Sequence, residues 1–278
     1  MKKILALVLM AACLVATLSG CGSSKSDSDK KVLRVGMECA YAPYNWSQSD
    51  DSNGAVPIAD SSDYAYGYDV MMAKYLAEDM GYELQIVKMD WDSLIPALQS
   101  GTIDCVIAGQ SITADRLESV DFTTPYYYAS IVALTTKDSK YASATTLTAL
   151  KGATCTSQIN TVWYDNCLPQ IKDANILAPQ ESAPAMLVAL TSGACDLVVT
   201  DMPTAMAAVS VYDNLKILDL AKSGDDFVVS AEDVNIGISV KKGNSDLLTK
   251  LNAGLAKLTK DDFTSWMDKA ISVQPLSE

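Results

Sequence analysis

Apolar residues recur along this chain in two alternating rhythms. "VLRVGME" (32–38) and "YELQIVKM" (82–89) read as strands, and "IDCVIAG" (103–109) is apolar enough for a buried one. Between them, "YGYDVMMAKYLAEDMG" (66–81) carries helical spacing with Asp69 as its expected N-cap, and "WDSLIPALQSG" (91–101) reads as a short helix closed by Gly101. A further helix is expected to begin near Thr113. Strand and helix alternating at this spacing predict a parallel sheet built from βαβ units. The rhythm restarts after Lys151 with strand "ATCTSQ", a helix from about Thr161, strand "ANIL", helix "SAPAMLVALTSG", strand "CDLVVTD" and a helix from Pro203. The chain is therefore expected to be α/β, with two units in series.

Two β-rich stretches, "YYYASIVALTTK" (126–137) and "VNIGISVKKG" (234–243), flank the second unit. The closing segment, 245–271, places leucines at 247, 248, 251, 255 and 258 on one face of an amphipathic helix. If that helix returns to the first unit, the second is an insertion tied by two crossings, which makes a hinge. The expected lobes are 32–130 with 235–278, and 131–234. The segment 47–65, rich in Ser, Asp, Asn and Gly, reads as a surface loop, and its "DDSNG" lacks the spaced carboxylates of a calcium loop.

The N-terminus sets the expected compartment. Lys2 and Lys3 precede an apolar run, Ile4 to Leu18, that suits a signal peptide and is short of the roughly 20 residues a membrane span needs. The following Leu-Ser-Gly-Cys resembles a bacterial lipobox, which makes Cys21 the expected lipidated first residue of the mature chain. Residues 22–31, small and polar, read as a tether. The full chain has 21 basic and 34 acidic residues, net −13, and loss of Lys2 and Lys3 takes the mature chain to −15. Such a balance argues against nucleic acid and against anionic lipid surfaces, leaving the lipid as the membrane link.

Histidine is absent. That excludes Ser-His-Asp and Cys-His triads, histidine metalloprotease motifs and histidine general bases. Of seven cysteines, Cys39, Cys105, Cys155, Cys167 and Cys195 remain after the leader and anchor. Their odd number and wide spacing show no zinc pattern; buried free thiols are expected, with room for one disulfide. No metal or cofactor is expected.

Only two of the 21 basic residues are arginines, Arg34 and Arg116. Arg116 follows Ser111-Ile-Thr113 at a strand-to-helix turn, where α/β sheets bind ligands. A helix start offers free N–H groups, and a guanidinium adds a planar fork suited to a carboxylate. The competing reading pairs Arg116 with a nearby acid such as Asp115 or Asp121. The doublets Asp50-Asp51, Asp225-Asp226 and Asp261-Asp262 read as solvated loops and helix starts rather than catalytic dyads.

Six stretches, "VGMECAYAPYNW", "GYDVMMAKYLA", "MDWDSLIPALQSGTIDCVIAGQSITADR", "VDFTTPYY", "LKGATCTSQINT" and "GACDLVVTDMP", stand in an order and spacing that resemble the extracytoplasmic amino-acid-binding proteins of ABC importers. The resemblance covers residues 32–278 and implies the two-lobed periplasmic-binding-protein fold, a free L-amino acid as ligand, a permease as partner, and a monomer. It also implies roles. Arg116, with Ser111 and the Gly109 N–H beside it, holds the ligand carboxylate, and Asp201 holds the ammonium. Gln158 to Thr161 meet the carboxylate from the second lobe, although Asn160 stands where relatives usually have Gly. Tyr41 and Trp91 flank the side chain. Glu38 faces its distal nitrogen, which favours a polar or cationic amino acid. Gln110 either adds polarity to the cleft or points into its own lobe. Two rivals remain: a cyclohexadienyl dehydratase on the same scaffold, for which Glu38 is the available proton donor, and a ligand sensor.

Overall fold

The computed structural model describes residues 31–275; the leader, Cys21 and the tether up to Lys30 fall outside them. The first lobe is built on a five-stranded sheet ordered β6-β1-β7-β16-β8. Here β1 is Val32–Met37, β6 Glu83–Lys88, β7 Cys105–Val106, β8 Val120–Phe122 and β16 Ser239–Lys241. β1 runs parallel to β6 and β7, and the late strand β16 returns antiparallel between β7 and β8. The second lobe repeats the plan as β12-β11-β13-β10-β14. Its strands are β10 Ile131–Thr136, β11 Thr154–Thr156, β12 Asn175–Ile176, β13 Leu197–Asp201 and β14 Leu215–Leu218.

Two crossings join the lobes. β9 (Tyr127–Tyr128) and β15 (Asn235–Ile236) pair as an antiparallel ribbon, one leaving the first lobe and the other returning to it. That ribbon is the hinge. The loop before the first-lobe helix bearing Arg116 is bonded to it, through Ile112 N–H to the Asn235 carbonyl and Gly237 N–H to the Gln110 carbonyl.

The helices follow the sequence pattern with instructive exceptions. α1 (Tyr68–Met80) is not capped by Asp69: the N-cap is Gly67, with φ 130°, and it makes no side-chain cap bond. A Cβ at Gly67 would lie 2.3 Å from the Tyr44 carbonyl oxygen, so only glycine fits there. Asp69 instead turns inward from the first turn. It is fully buried and accepts from Tyr126 OH at 2.7 Å and Asn45 Nδ2 at 2.8 Å. Gly67→Ala is expected to destabilise the protein by about 2–3 kcal/mol, because strain at this φ adds to a backbone clash. Thermal unfolding checks this; an unchanged midpoint would mean the turn relaxes freely.

α2 (Leu94–Ser100) is closed by Gly101, and α3 (Ala114–Ser119) is capped by the Thr113 side chain. In the second lobe, α4 (Ala183–Thr191) and α5 (Met202–Val211) are capped by Ser182 and Asp201. A four-residue helix, α6 (Ala231–Val234), precedes the hinge return. The helix expected from Thr161 is a π turn over Trp163–Cys167 followed by a 3₁₀ turn. The single C-terminal helix is two, α7 (Ser245–Leu255) and α8 (Lys260–Val273). Thr259 and Asp262 form a reciprocal capping box at the break, which starts a new helix in mid-pattern. Segment 47–65 is likewise more than loop: β2 (Ala40–Tyr41), β3 (Asn45–Gln48), β4 (Val56–Pro57) and β5 (Tyr64–Tyr66) form a small antiparallel sheet drawn largely from it.

All five described cysteines are buried free thiols. Burial pushes Cys155 up to about 11 and Cys195 to about 12, so at neutral pH they are packing groups rather than nucleophiles. Among the described residues no helix is long and apolar enough to cross a membrane.

Candidate functional site

The two arginines divide their labour. Arg34 on β1 donates to both carboxylate oxygens of Asp104, at 3.0 and 2.7 Å, and so ties β1 to the turn before β7. Arg116 makes no ion pair among the described residues, and Asp121 is bound by Lys242 at 2.9 Å instead. The Arg116 guanidinium donates to two backbone carbonyls, Nη1 to Ser111 at 2.9 Å and Nη2 to Asn160 at 2.7 Å. It also lies 5.3 Å from the centre of the Trp91 ring. Burial draws its pKa down to about 10, which leaves it charged at neutral pH. The surface-pair reading is thereby disfavoured.

The other site residues sit at or just past the carboxyl ends of strands, as the topology demands. Glu38 follows β1, Tyr41 ends β2, Gly109 to Ser111 follow β7, Gln158 to Thr161 follow β11, and Asp201 ends β13. A cavity between the lobes is lined by Glu38, Tyr41, Trp91, Gly109, Ser111, Arg116, Gln158 and Thr161, together with Val162 and Trp163. Eight of the predicted residues thus converge on one space.

Direct contacts cross between the lobes there. Tyr41 OH donates to Asp201 Oδ2. Gln158 Nε2 donates to both Glu38 oxygens, at 3.2 and 3.4 Å. Asn160 Nδ2 donates to Asp92 at 2.8 Å, while its carbonyl receives Arg116. The cavity between these contacts is about 10 Å³. A ligand must therefore enter with the lobes apart and replace these internal bonds with its own.

Burial sets the electrostatics. Glu38 is 6% exposed, and burial raises its carboxyl to about 7; the Gln158 bond opposes this, and Asp90 and Asp92 add to it. Asp201 is 1% exposed and is also raised by burial, against the bonds from Tyr41 and Thr204. Both carboxylates are costly to keep charged, and both gain from a cation.

The structure decides between the two readings of Gln110 and corrects that of the Gly109 N–H. Gln110 does not line the inner cavity; it turns into its own lobe, where its side-chain oxygen accepts from Ser239 Oγ at 2.8 Å. The Gly109 N–H is not free for a ligand, because it donates to Tyr126 OH at 3.1 Å. Gly109 contributes space: a Cβ there would fall 2.7 Å from the Tyr41 ring. Asn160 has φ 56°, a conformation that favours glycine and that Asn tolerates, and it presents its carbonyl to Arg116.

Sequence reasoning missed two features. Trp163, 6.2 Å from the Tyr41 ring, walls the cavity from the second lobe. Asp69 supports the floor: through Asn45, which accepts from Cys39 N–H at 2.7 Å, and through Tyr126, it fixes both the 38–45 segment and Gly109. The acid in "GYDV" was visible, but its partners lie 24 and 57 residues away. Among the described residues no group of His, Cys, Asp and Glu is arranged to hold a metal.

A two-lobed α/β protein with opposed charges on the facing walls of its cleft is built to close around a small solute. The chain belongs to the bacterial extracellular solute-binding proteins, family 3, whose model matches residues 33–270. It is 38% identical over 164 residues to the arginine-binding extracellular protein ArtP of Bacillus subtilis (strain 168), an alignment spanning 58% of each chain. It is 31% identical over 267 residues to the probable histidine-binding protein of Neisseria gonorrhoeae, covering 93% of this chain and 91% of that one. Among solved structures, an amino acid ABC transporter substrate-binding protein from Streptococcus pneumoniae Canada MDR_19A bound to L-arginine matches with a TM-score of 0.74 and 27% identity, over 87% of this chain and 94% of that one.

Proposed function

We propose that this protein binds one free L-amino acid with a cationic side chain, closes on it, and delivers it to an ABC permease while tethered through a lipid on Cys21. The lobes in this reading are 32–130 with 235–278, and 131–234. The observation that carries the choice of ligand is the charge of the cleft. Arg116 supplies one positive group, against two buried carboxylates, Glu38 and Asp201. An amino acid's carboxylate and ammonium match Arg116 and Asp201. Glu38 then remains, and a cationic side chain neutralises it. The names of the arginine- and histidine-binding relatives agree with this arithmetic.

Closure follows from the split site. Asp201 lies on the second lobe and Arg116 and Glu38 on the first, so only the closed form satisfies all three ligand charges. Ligand shifts the hinge equilibrium by that difference in contacts. No bond of the solute is made or broken.

Calorimetry with arginine, lysine, ornithine, histidine, glutamine and leucine tests the reading. Arginine or lysine is expected to bind tightest; a preference for leucine, or turnover of prephenate or arogenate, overturns it. The Glu38 carboxyl adds a pH signature. A cation beside it favours the ionised form, so its pKa, about 7 in the closed ligand-free structure, must fall in the complex. Affinity for arginine is then expected to rise about tenfold from pH 6 to pH 8, with proton release on binding below pH 7, and to flatten in Glu38→Gln. Equal slopes in both proteins would exclude Glu38 as the titrating group. For the tether, Cys21→Ser is expected to abolish fractionation with membranes while leaving the affinity of the soluble domain unchanged. A processed variant that still sediments with membranes contradicts the lipid anchor.

A further inference from the structure

Closure seals the two ends of the cleft unequally. Around Arg116 and Tyr41 the lobes meet and leave about 10 Å³. Beyond Glu38 and Trp91, which line both spaces, a crevice of about 510 Å³ stays open between the lobes. Residues 88–93 of the first lobe wall one side of it, and Ile159, Glu181 and Ser182 of the second wall the other. Its charge is one-sided. Asp90, Asp92 and Glu181 stand at its exposed rim with Glu38 buried at its base, against Lys88, whose ammonium donates to Ser47 Oγ at 3.1 Å.

Glu38 is also under-bonded for its depth. It is 6% exposed, yet among the described residues its two oxygens share a single amide nitrogen, Gln158 Nε2, at 3.2 and 3.4 Å. An ionised carboxylate offers about four acceptor positions, so most of this buried group's capacity is unused. A buried acceptor in that condition, opening on a roomy acidic crevice, is arranged for donors that arrive from the ligand. Asp92 is less available, since Asn160 Nδ2 already binds it at 2.8 Å.

We propose that the crevice is the distal half of the binding site, and that the protein accepts cationic amino acids bearing a substituent on the distal nitrogen, of the Nω-alkyl-arginine kind. This rests on the cationic amino-acid reading of the cleft and extends it. With the ligand's head group between Arg116 and Asp201 and its guanidinium at Glu38, a group on the outer nitrogen projects past Glu38 into the crevice. The guanidinium keeps its charge, and the substituent meets open space beside Trp91 instead of a wall. A closed apolar pocket discriminates by about 10–200-fold for a single methylene, whereas an open end does not.

Calorimetry with L-arginine and Nω-propyl-L-arginine tests this in wild type and in Ser93→Trp, which places a bulky ring at a crevice position outside the inner cavity. In wild type the propyl compound is expected to bind within about tenfold of arginine. Ser93→Trp is expected to weaken the propyl compound by at least about tenfold and arginine by no more than about threefold. Arginine binding with a larger propyl penalty in wild type overturns the crevice proposal alone, as does a variant that weakens both ligands equally. Failure of arginine itself to bind overturns the cationic reading and this extension together.

Discussion

Arg116→Ala is expected to weaken L-arginine binding by roughly 30-fold to several thousand-fold, about 2–5 kcal/mol, with Arg116→Lys recovering only part of the loss. The guanidinium is anchored within its own lobe by the Ser111 carbonyl and the Trp91 ring before any ligand arrives, and the Asn160 carbonyl joins them when the lobes close. Its orientation is therefore already fixed, and little entropy is lost when a carboxylate docks on it. Alanine leaves that carboxylate without its charge partner inside a closed cleft. Lysine restores a charge but not the planar fork, and cannot hold Ser111, Asn160 and the ligand in one plane. The Asn160 contact also joins the lobes, so part of the effect acts through closure. L-argininamide separates the two contributions. Lacking the carboxylate, it should bind wild type poorly and lose much less on Arg116→Ala. Equal losses for amide and acid would place Arg116 in lobe contact alone.

The contrast between Arg34 and Arg116 shows where sequence reading ends. Both sit near β strands and acids, and only the fold reveals that Asp104 takes Arg34 while Lys242 takes Asp121. Strand and helix order was legible because burial imposes a period of two or of 3.6 on neighbouring residues, and neighbours are what a sequence displays. Arg116 was legible for a related reason: Thr113, its cap and the strand end are local. Asp69 was misread because an acid near a helix start has a common local role, whereas its actual partners come from β3 and from beyond β8. Gln110 carried no local signal at all, since Ser239 reaches it from the far end of the chain. The break between α7 and α8 was hidden because Leu251, Leu255 and Leu258 keep helical spacing right into it. Thr259 with Asp262 was the available sign, a capping box written in four residues.

Asp201→Asn should separate binding from stability most cleanly. The carboxylate does two jobs: Oδ1 accepts the Thr204 N–H at 2.8 Å to cap α5, and Oδ2 accepts from Tyr41 across the cleft. Asparagine is as good a cap as aspartate and keeps the shape, so α5 should start unchanged. What it removes is a buried charge. Burial raises the Asp201 pKa, so the folded protein binds its proton more tightly than the unfolded chain does. The stability linked to that proton is present below the unfolded pKa of about 4 and is lost as pH rises through the folded value. At neutral pH the ionised carboxylate therefore weakens the ligand-free fold. Asp201→Asn is expected to unfold at the same temperature as wild type or higher at pH 7.5, with the difference shrinking toward pH 4. Its affinity for L-arginine should fall by about 30-fold or more, because the ligand ammonium then enters a closed cleft without an anion to meet it. Asp201→Ala should lose the same affinity and also about 1 kcal/mol of stability with the cap. Thermal unfolding and calorimetry on the two variants decide the matter. If asparagine lowers the unfolding temperature as far as alanine and leaves arginine binding intact, the carboxylate is a structural cap. If it raises the temperature and abolishes binding, the second lobe carries a charge kept at the expense of its own stability to hold the solute's ammonium.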